Sequence, residues 1–401
     1  MMYESPTATE DEYMNNTEKI LLLLSQQKFS DEQRLRLEAL AKGVDWGVVC
    51  KLAKVHKIES LIYNNLRNNN LLSILPSNIE SHLKAVYYQV SIRNSQFKEL
   101  AEDISALCPD SKILLVKGSA LIFDFYKDLG ARYLADVDIM VPKADRDYVW
   151  EMLTSGNWND DNWPGLKSKA HNVLNNTNYK TMHYLYYGKA ENSQFVDIHW
   201  KFYVGCGADA VAEYAFNKAV CVKDNLYVHS NEMQVVHLCT NNYLDYREGG
   251  VMYLRNLCDI NEFIKARPID WSEVDSILQI SGTQSVIREA VIHSLNIIES
   301  LYNTPIPSKY KENVFNGIEI SPISLLQLPV TKLKKNALQS FIGNIKALGK
   351  PSLVCLYVFK EIFPDGRWLK GMYPDSHAPL LSYWSYMVRR HLLHKNIRYK
   401  G

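Results

Sequence analysis

Three aspartates occupy segments whose apolar neighbours are typical of β-strands. Asp136 and Asp138 are two residues apart, and Asp197 lies farther along the chain between apolar residues. Because side chains alternate between the two faces of a strand, Asp136 and Asp138 share one face, and Asp197 shares a face with His199. If these strands are neighbours in one sheet, the three carboxylates converge. The spacing therefore predicts a cluster of acidic oxygens.

A cluster of three carboxylates requires cations between its oxygens. Two such charges about 4 Å apart repel by roughly 1 kcal/mol in water and by about 4 kcal/mol at an effective dielectric constant of 20. Oxygen ligands without His or Cys favour Mg²⁺ or Mn²⁺. We therefore expect Asp136, Asp138 and Asp197 to ligate metal, and we interpret His183 and His199 as structural histidines.

A turn formed by Lys117, Gly118 and Ser119 directly follows the apolar run 113–116. Glycine lets the backbone turn tightly, and the first N–H groups of the helix expected after it have no intrahelical partner, so the turn predicts an anion site for a triphosphate. The Lys117 ammonium and the Ser119 hydroxyl add donors, and Arg132 adds a bidentate fork. A phosphate site beside a carboxylate cluster is typical of nucleotidyl transfer.

The order of these motifs is more specific than either motif alone, because paired aspartates and short Lys-Gly-Ser turns are common. Along the chain come a strand, a Gly-Ser turn, a helix, an arginine, a strand with the aspartate pair, a helix, and a later strand with a single aspartate. This order favours the catalytic interpretation over coincidence.

The periodicity of the chain indicates where these motifs are embedded. Ser30, Asp45 and Asp270 have the positions of helix N-caps, and apolar residues recur at helical spacing on both sides of a strand-rich middle region. We expect four regions: a disordered tail over 1–16, a helical N-terminal region over 17–107, an α/β core over 108–230 and a helical C-terminal domain over 231–401.

The composition of the 401 residues is that of a globular protein, with 47% hydrophobic residues and a net charge of +1. This balance disfavours a nucleic-acid partner. Seven scattered cysteines without a CxxC pair indicate a reducing compartment and no zinc site. The acidic N-terminus is unlike a signal peptide, and no apolar run reaches the roughly 20 residues of a membrane span. We expect a cytoplasmic protein without membrane contact.

The order Gly118-Ser119, Asp136-x-Asp138 and Asp197 resembles the signature of the DNA polymerase β-like nucleotidyltransferase superfamily. Within it, the chain is similar to a bacterial group of uncharacterised nucleotidyltransferases with the pattern KG…R…DxD…vDxHW. The resemblance implies an α+β fold in which a polymerase β-like core, a small mixed sheet with helices, is flanked by helical N- and C-terminal regions. The segments outside the core that resemble the bacterial group are 45–62, 236–259 and 363–373.

The resemblance also implies an activity, the Mg-dependent transfer of an NMP group from an NTP to a hydroxyl acceptor with release of pyrophosphate. ATP is the favoured NTP, and the acceptor is a small molecule, a peptide or a protein. Asp136 and Asp138 would hold two Mg²⁺ or Mn²⁺ ions, while Asp197 would complete the second ion site and take the proton. The residues that would bind the NTP are Lys117, Gly118, Ser119 and Arg132.

Two alternatives stay open. One is a catalytically silent nucleotide-binding or scaffold protein of the same fold, although the presence of all three acids favours an enzyme. The other is an antitoxin-like enzyme that modifies a protein partner or RNA, and the near-zero net charge disfavours RNA. Neither the motifs nor the resemblance identifies the acceptor.

Overall fold

The computed structural model describes residues 14–155, 182–186, 195–203, 207–249, 252–282, 286–311, 351–363, 376–378 and 380–385. In this part of the chain, a layer of helices precedes one mixed β-sheet, and further helices follow it. The expected α+β class with a small mixed sheet and flanking helices is therefore confirmed.

The N-terminal helices begin at capping residues that the sequence carries. The Ser30 hydroxyl accepts a hydrogen bond from the Gln33 backbone N–H at 3.2 Å, and the Asp45 carboxylate accepts one from Gly47 at 2.8 Å. Such side chains satisfy the free N–H groups of a first helical turn. The helices of this layer are α1 (Asn16–Leu24), α2 (Asp31–Ala41), α3 (Trp46–Val55), α4 (Glu59–Asn68) and α5 (Ser77–Leu107), with a 3₁₀ turn at Leu72–Ile74.

The sheet has six strands within the described residues. They are β1 (Ile113–Leu115), β2 (Val137–Met140), β3 (Met182–Tyr186), β4 (Phe195–His199), β5 (Val220–Lys223) and β6 (Leu226–Val228). Their order across the sheet is β3-β4-β2-β1-β6-β5. Strand β2 pairs in parallel with β4 and antiparallel with β1, and β1 pairs in parallel with β6. Both β1 and β2 are wholly buried, as expected for central strands.

The apolar spacing over 120–129 predicts a helix, but the helical segment begins earlier and ends at residue 125. The Lys-Gly-Ser residues themselves form the start of a short helix, α6 (Lys117–Ala120), which continues into one π-helical turn (Leu121–Phe125). The Tyr126 N–H donates to the Leu121 carbonyl at 2.7 Å, which is the five-residue spacing of a π-turn. The Tyr126 side chain is buried, and its hydroxyl donates to Asp259 at 2.8 Å.

Helices from the second half of the chain pack next to the Lys-Gly-Ser turn. The remaining helices are α7 (Arg146–Ser155), α8 (Ala208–Asn217), α9 (Asn231–Gly249), α10 (Leu254–Ala266), α11 (Trp271–Ser281), α12 (Val286–Tyr302) and α13 (Pro351–Ile362). Helix α9 packs against α6, α10 and α12, and this packing brings the C-terminal helices next to the turn. No helix within the described ranges is long and apolar enough to cross a membrane. Apolar residues at helical spacing also predict a helix over 331–348, which lies outside the described residues.

Candidate active site

The parallel pairing of β2 with β4 brings two of the three aspartates together. Asp138 lies directly opposite Asp197 in the strand register, so both side chains project from the same face of the sheet. Each residue is only 6% exposed. A carboxylate oxygen from each and a ring nitrogen of His199 all lie within 4.8 Å of one another. These residues form what we call the acidic cluster: Asp138, Asp197 and His199.

Asp136 lies beside the acidic cluster and is not part of this compact group. It precedes the first residue of β2, so strand pairing does not fix its backbone. Burial and the charge of Asp138 raise the pKa of Asp136, and the charge of Asp136 in turn acts on Asp197. Asp136 therefore interacts with the acidic cluster electrostatically, and the third residue of the compact group is His199.

Two donors converge on one oxygen of Asp138. The Lys117 ammonium lies 2.6 Å and the His199 Nε2 atom 3.0 Å from Asp138 Oδ1. Burial alone would raise the pKa of Asp138, but Lys117 and His199 hold it well below its usual range. Among the described residues, no donor lies within hydrogen-bond distance of Oδ2. Asp138 is therefore ionised, and its second oxygen has no donor among the described residues.

His199 is a neutral ring in this arrangement. Burial and the charge of Lys117 lower its pKa, although Asp138 opposes the shift. A neutral imidazole next to an ionised carboxylate donates its Nε2 proton, since the carboxylate only accepts. The sequence interpretation as a structural histidine overlooked this contact. The spacing of Asp197 and His199 on one strand face was the signal that pointed to it.

Asp197 is a buried carboxylate without a hydrogen-bond donor among the described residues. Burial, followed by the charges of Asp138 and Asp136, raises the pKa of Asp197 to about 8. A buried carboxylate in this state needs either a proton or a cation. Hard oxygen donors facing one another fit a divalent ion of the Mg²⁺ or Mn²⁺ type. The donor set of the acidic cluster thus suits a metal of the expected class.

Lys117 compensates the carboxylates from the end of β1. Burial lowers its pKa, but the charges of Asp138, Asp197 and Asp136 outweigh this effect and raise it. Its backbone φ is +51°, a left-handed conformation that non-glycine residues rarely adopt. The turn therefore aims an ammonium group at the cluster and keeps it charged.

Ser119 and Gly118 serve the packing around β2. The Ser119 hydroxyl accepts a hydrogen bond from the Asp138 backbone N–H at 2.9 Å and is almost fully buried. A Cβ atom on Gly118 would lie 2.0 Å from Arg132 Nη1 and 2.4 Å from Leu134 Cδ2, so only glycine fits there. Their expected role in NTP binding stays a prediction.

Arg132 lies in a buried ion pair with Asp259 of α10. Its Nε and Nη2 atoms are 2.8 and 2.7 Å from Asp259 Oδ2, and the two residues are 6% and 1% exposed. Burial alone would lower the pKa of Arg132, but the charge of Asp259 outweighs this effect and raises it, so the guanidinium stays charged. The predicted phosphate ligand is thus directed at a carboxylate 127 residues away. Binding of NTP by Arg132 stays a prediction.

Charged side chains from the helical regions act on Asp136. Lys57 follows α3 and Arg255 lies on α10, and together with Lys117 their charges offset part of the rise that burial and Asp138 cause in the pKa of Asp136. Lys57 and Arg255 lie within the segments 45–62 and 236–259 that resemble the bacterial group, but no spacing along the chain links them to Asp136.

One of three comparisons with known proteins finds a match. The family described as uncharacterised nucleotidyltransferase matches residues 42–296, a range that includes the acidic cluster, the Lys-Gly-Ser turn and the Arg132–Asp259 pair. No curated protein and no solved structure matches the chain. The matched range covers more than half of the 401 residues. The chain therefore belongs to the family of uncharacterised nucleotidyltransferases.

Proposed function

We propose that the protein transfers an NMP group from an NTP, with ATP favoured, to a hydroxyl acceptor and releases pyrophosphate. The observation that carries this proposal is the parallel pairing of β2 and β4, which places Asp138 beside Asp197 next to the Lys117 turn. Family membership supports nucleotidyl transfer in general. We also propose a DNA polymerase β-like core over 108–230, between a helical region over 17–107 and a helical domain over 231–401.

Asp138 and Asp197 would hold divalent metal, with Asp136 as a further ligand at their side. When bound, Mg²⁺ or Mn²⁺ would neutralise the phosphate charge, lower the pKa of the acceptor hydroxyl and stabilise the entering and leaving oxygens. In two-metal phosphoryl-transfer sites, two ions share these tasks. The acidic cluster supplies the oxygens for this purpose, because one Asp138 oxygen and the Asp197 carboxylate have no donor among the described residues.

The two aspartates take different parts in the reaction. Asp138 stays ionised because Lys117 and His199 hold one of its oxygens. Asp197 has no such donor among the described residues, so its carboxylate is available to a metal ion and to the acceptor hydroxyl. In the transfer, the acceptor oxygen forms a bond to the α-phosphorus, the bond from phosphorus to the pyrophosphate oxygen breaks, and the hydroxyl proton passes to Asp197.

The test is a labelled-nucleotide assay in an extract of the source cells. Each α-labelled NTP is incubated with the protein and Mg²⁺ or Mn²⁺, and the labelled product identifies the acceptor class. We expect one NTP to label an acceptor, and we expect the D138N and D197N variants to lose this labelling. The matched control is D31N, which removes an equivalent charge from an exposed position at the start of α2.

The labelling result distinguishes the proposed activity from a catalytically silent nucleotide-binding protein. If the wild-type protein binds NTP but labels nothing with any of the four nucleotides, it acts as a nucleotide-binding scaffold and the proposed activity is wrong. Labelling that survives in both D138N and D197N would place the chemistry outside the acidic cluster.

A further inference from the structure

Two cations that interact electrostatically with Asp136 lack a carboxylate partner. Among the described residues, no carboxylate oxygen lies within 4.0 Å of the Lys57 ammonium or of the Arg255 guanidinium. Arg255 Nη1 donates to the Tyr133 carbonyl at 3.2 Å, and Nη2 donates to the Asn256 side chain at 3.2 Å. A neutral carbonyl and a neutral amide orient the guanidinium without compensating its charge. The contrast is Arg132, whose charge Asp259 neutralises at 2.7 Å.

The turn that carries Lys57 is anchored on the start of α10. The Leu254 backbone N–H donates to the buried His56 Nδ1 atom at 3.2 Å, and the Lys57 ammonium lies 4.4 Å from the centre of the Tyr253 ring. Lys57 therefore has a fixed position next to Arg255. This position depends on contacts between the N-terminal helices and α10, so both helical regions contribute to it.

The backbone of Lys57 adopts a left-handed conformation, with φ +59°. Among the described residues, the other non-glycine positions with positive φ are Lys117, two asparagines and one aspartate. Asparagine and aspartate tolerate this conformation, whereas lysine adopts it at a cost. At Lys57 this conformation closes the C-terminus of α3, where the Ile58 N–H donates to the Ala53 carbonyl at 2.9 Å as in a Schellman cap. The cap fixes the backbone of Lys57 at the end of the helix.

The charges acting on these two cations indicate an anion between them. Burial and the charge of Arg255 lower the pKa of Lys57. Burial and the charge of Arg132 lower the pKa of Arg255 to about 10. Asp245 and Asp136 oppose both shifts without pairing with either cation. An anion bound between Lys57 and Arg255 removes the mutual repulsion and supplies the missing partner.

We propose that Lys57 and Arg255 bind the polyphosphate tail of the nucleotide on the Asp136 side of the acidic cluster. The inference rests on the proposed NTP-dependent function. It assigns the phosphate-binding cations to the helical regions on either side of the core, because Asp259 already holds Arg132 and Asp138 already engages Lys117 and the Ser119 hydroxyl.

The test measures binding by calorimetry, without turnover, for the full-length protein in Mg²⁺. The ligands are the NTP that the wild-type protein binds, inorganic tripolyphosphate, and the NMP with the same base. The K57Q and R255Q variants are compared with K54Q, which removes a lysine from the exposed side of α3, and R267Q, which removes an arginine just after α10. Circular dichroism verifies that each variant is folded.

We expect K57Q and R255Q each to weaken binding of NTP and tripolyphosphate by about 10-fold to 100-fold, the effect of losing one charge-assisted contact. Affinity for the NMP should change little, the R255K variant should keep part of the affinity, and both control variants should bind as the wild type does. The two test positions lie in different elements, so a folding defect in one variant leaves the other as an independent test.

Two results overturn the inference in different ways. If the wild-type protein binds NTP and both test variants bind it equally well, the inference is wrong and the proposed function stands. An equal loss of NMP and NTP affinity would also exclude a contact confined to the polyphosphate tail. If the wild-type protein binds none of the four NTPs, the proposed function is wrong and the inference is wrong with it.

Discussion

Replacement of Gly118 tests whether this glycine serves packing or phosphate binding. An alanine Cβ there would lie 2.0 Å from Arg132 Nη1, 2.4 Å from Leu134 Cδ2 and 2.7 Å from Arg132 Cζ. Unstrained contacts between heavy atoms are about 3.5 to 4.0 Å, so the guanidinium would have to move by more than about 1 Å. It has little freedom to move, because Asp259 holds it by two short contacts inside the core.

The expected loss of stability in G118A follows from the restricted position of Arg132. Overpacking in a rigid core costs about 1 to 3 kcal/mol, and separating a buried ion pair costs about 3 to 5 kcal/mol. Since relief of the clash requires displacement of Arg132 from Asp259, we expect a loss of about 3 to 5 kcal/mol in the free energy of unfolding. A phosphate-binding role alone would leave this free energy unchanged.

Urea unfolding followed by circular dichroism measures the effect, with G43A as the matched control. Gly43 is exposed, and the nearest atom to an added Cβ there is the Leu40 carbonyl oxygen at 4.0 Å. We expect G43A to differ from the wild type by less than about 1 kcal/mol. If G118A is as stable as G43A and only its nucleotide binding is weaker, the packing argument is refuted and the phosphate interpretation gains support.

Three further predictions concern the acidic cluster and a buried histidine. First, D197N should change NTP affinity little while lowering the single-turnover rate by about 10²-fold to 10⁴-fold, whereas D138N should lower both the affinity and the rate. Calorimetry measures the affinity and rapid-quench kinetics the rate. Equal losses of affinity in the two variants would make Asp197 a ground-state ligand. Second, Mn²⁺ should raise the melting temperature of the wild type and of D31N but not of D197N. At a Mn²⁺ concentration of 100 times the dissociation constant, the added stability is about 2.7 kcal/mol. An equal rise in D197N would remove Asp197 from the metal site. Third, burial lowers the pKa of His229 to about 3 from an ordinary 6.5, so the unfolded chain takes up this proton at a higher pH than the folded protein, and the stability present above pH 6.5 falls as the pH drops toward 3. The free energy of unfolding should change by up to about 1.4 kcal/mol per pH unit per histidine, and urea midpoints at pH 7 and 5 measure this slope. The slope should be smaller in H229F, and an unchanged slope would contradict the assignment.

Local sequence signals predicted the elements that carry the site. The predicted N-caps Ser30, Asp45 and Asp270 each accept the expected backbone hydrogen bond. Strand β1 lies in the apolar run 113–116, and β2 and β4 lie in the segments predicted to hold Asp138 and Asp197. The edge strand β5 was not predicted, because all four of its residues are exposed and alternation gives no signal there.

The partners of the site residues could not be predicted in the same way. Arg132 pairs with Asp259, and Lys57 lies beside Arg255, across distances along the chain that no motif spans. Which carboxylate an arginine contacts depends on how the helices pack on the sheet. Arg132 was expected to bind phosphate, and its contact with the Asp259 carboxylate follows from the packing of α10 on the sheet, which the sequence does not show.

Asp138 and Asp197 show how environment separates two identical residue types. They are opposite each other in adjacent strands and equally buried, so sequence and register treat them alike. Lys117 reaches one of them and not the other, and His199 donates to the same oxygen of Asp138. The first carboxylate is thereby kept ionised, while burial and the charge of the first raise the pKa of the second. Two aspartates of equal exposure thus differ in their protonation, and the hydrogen bonds that Lys117 and His199 make to Asp138 alone are what distinguishes them.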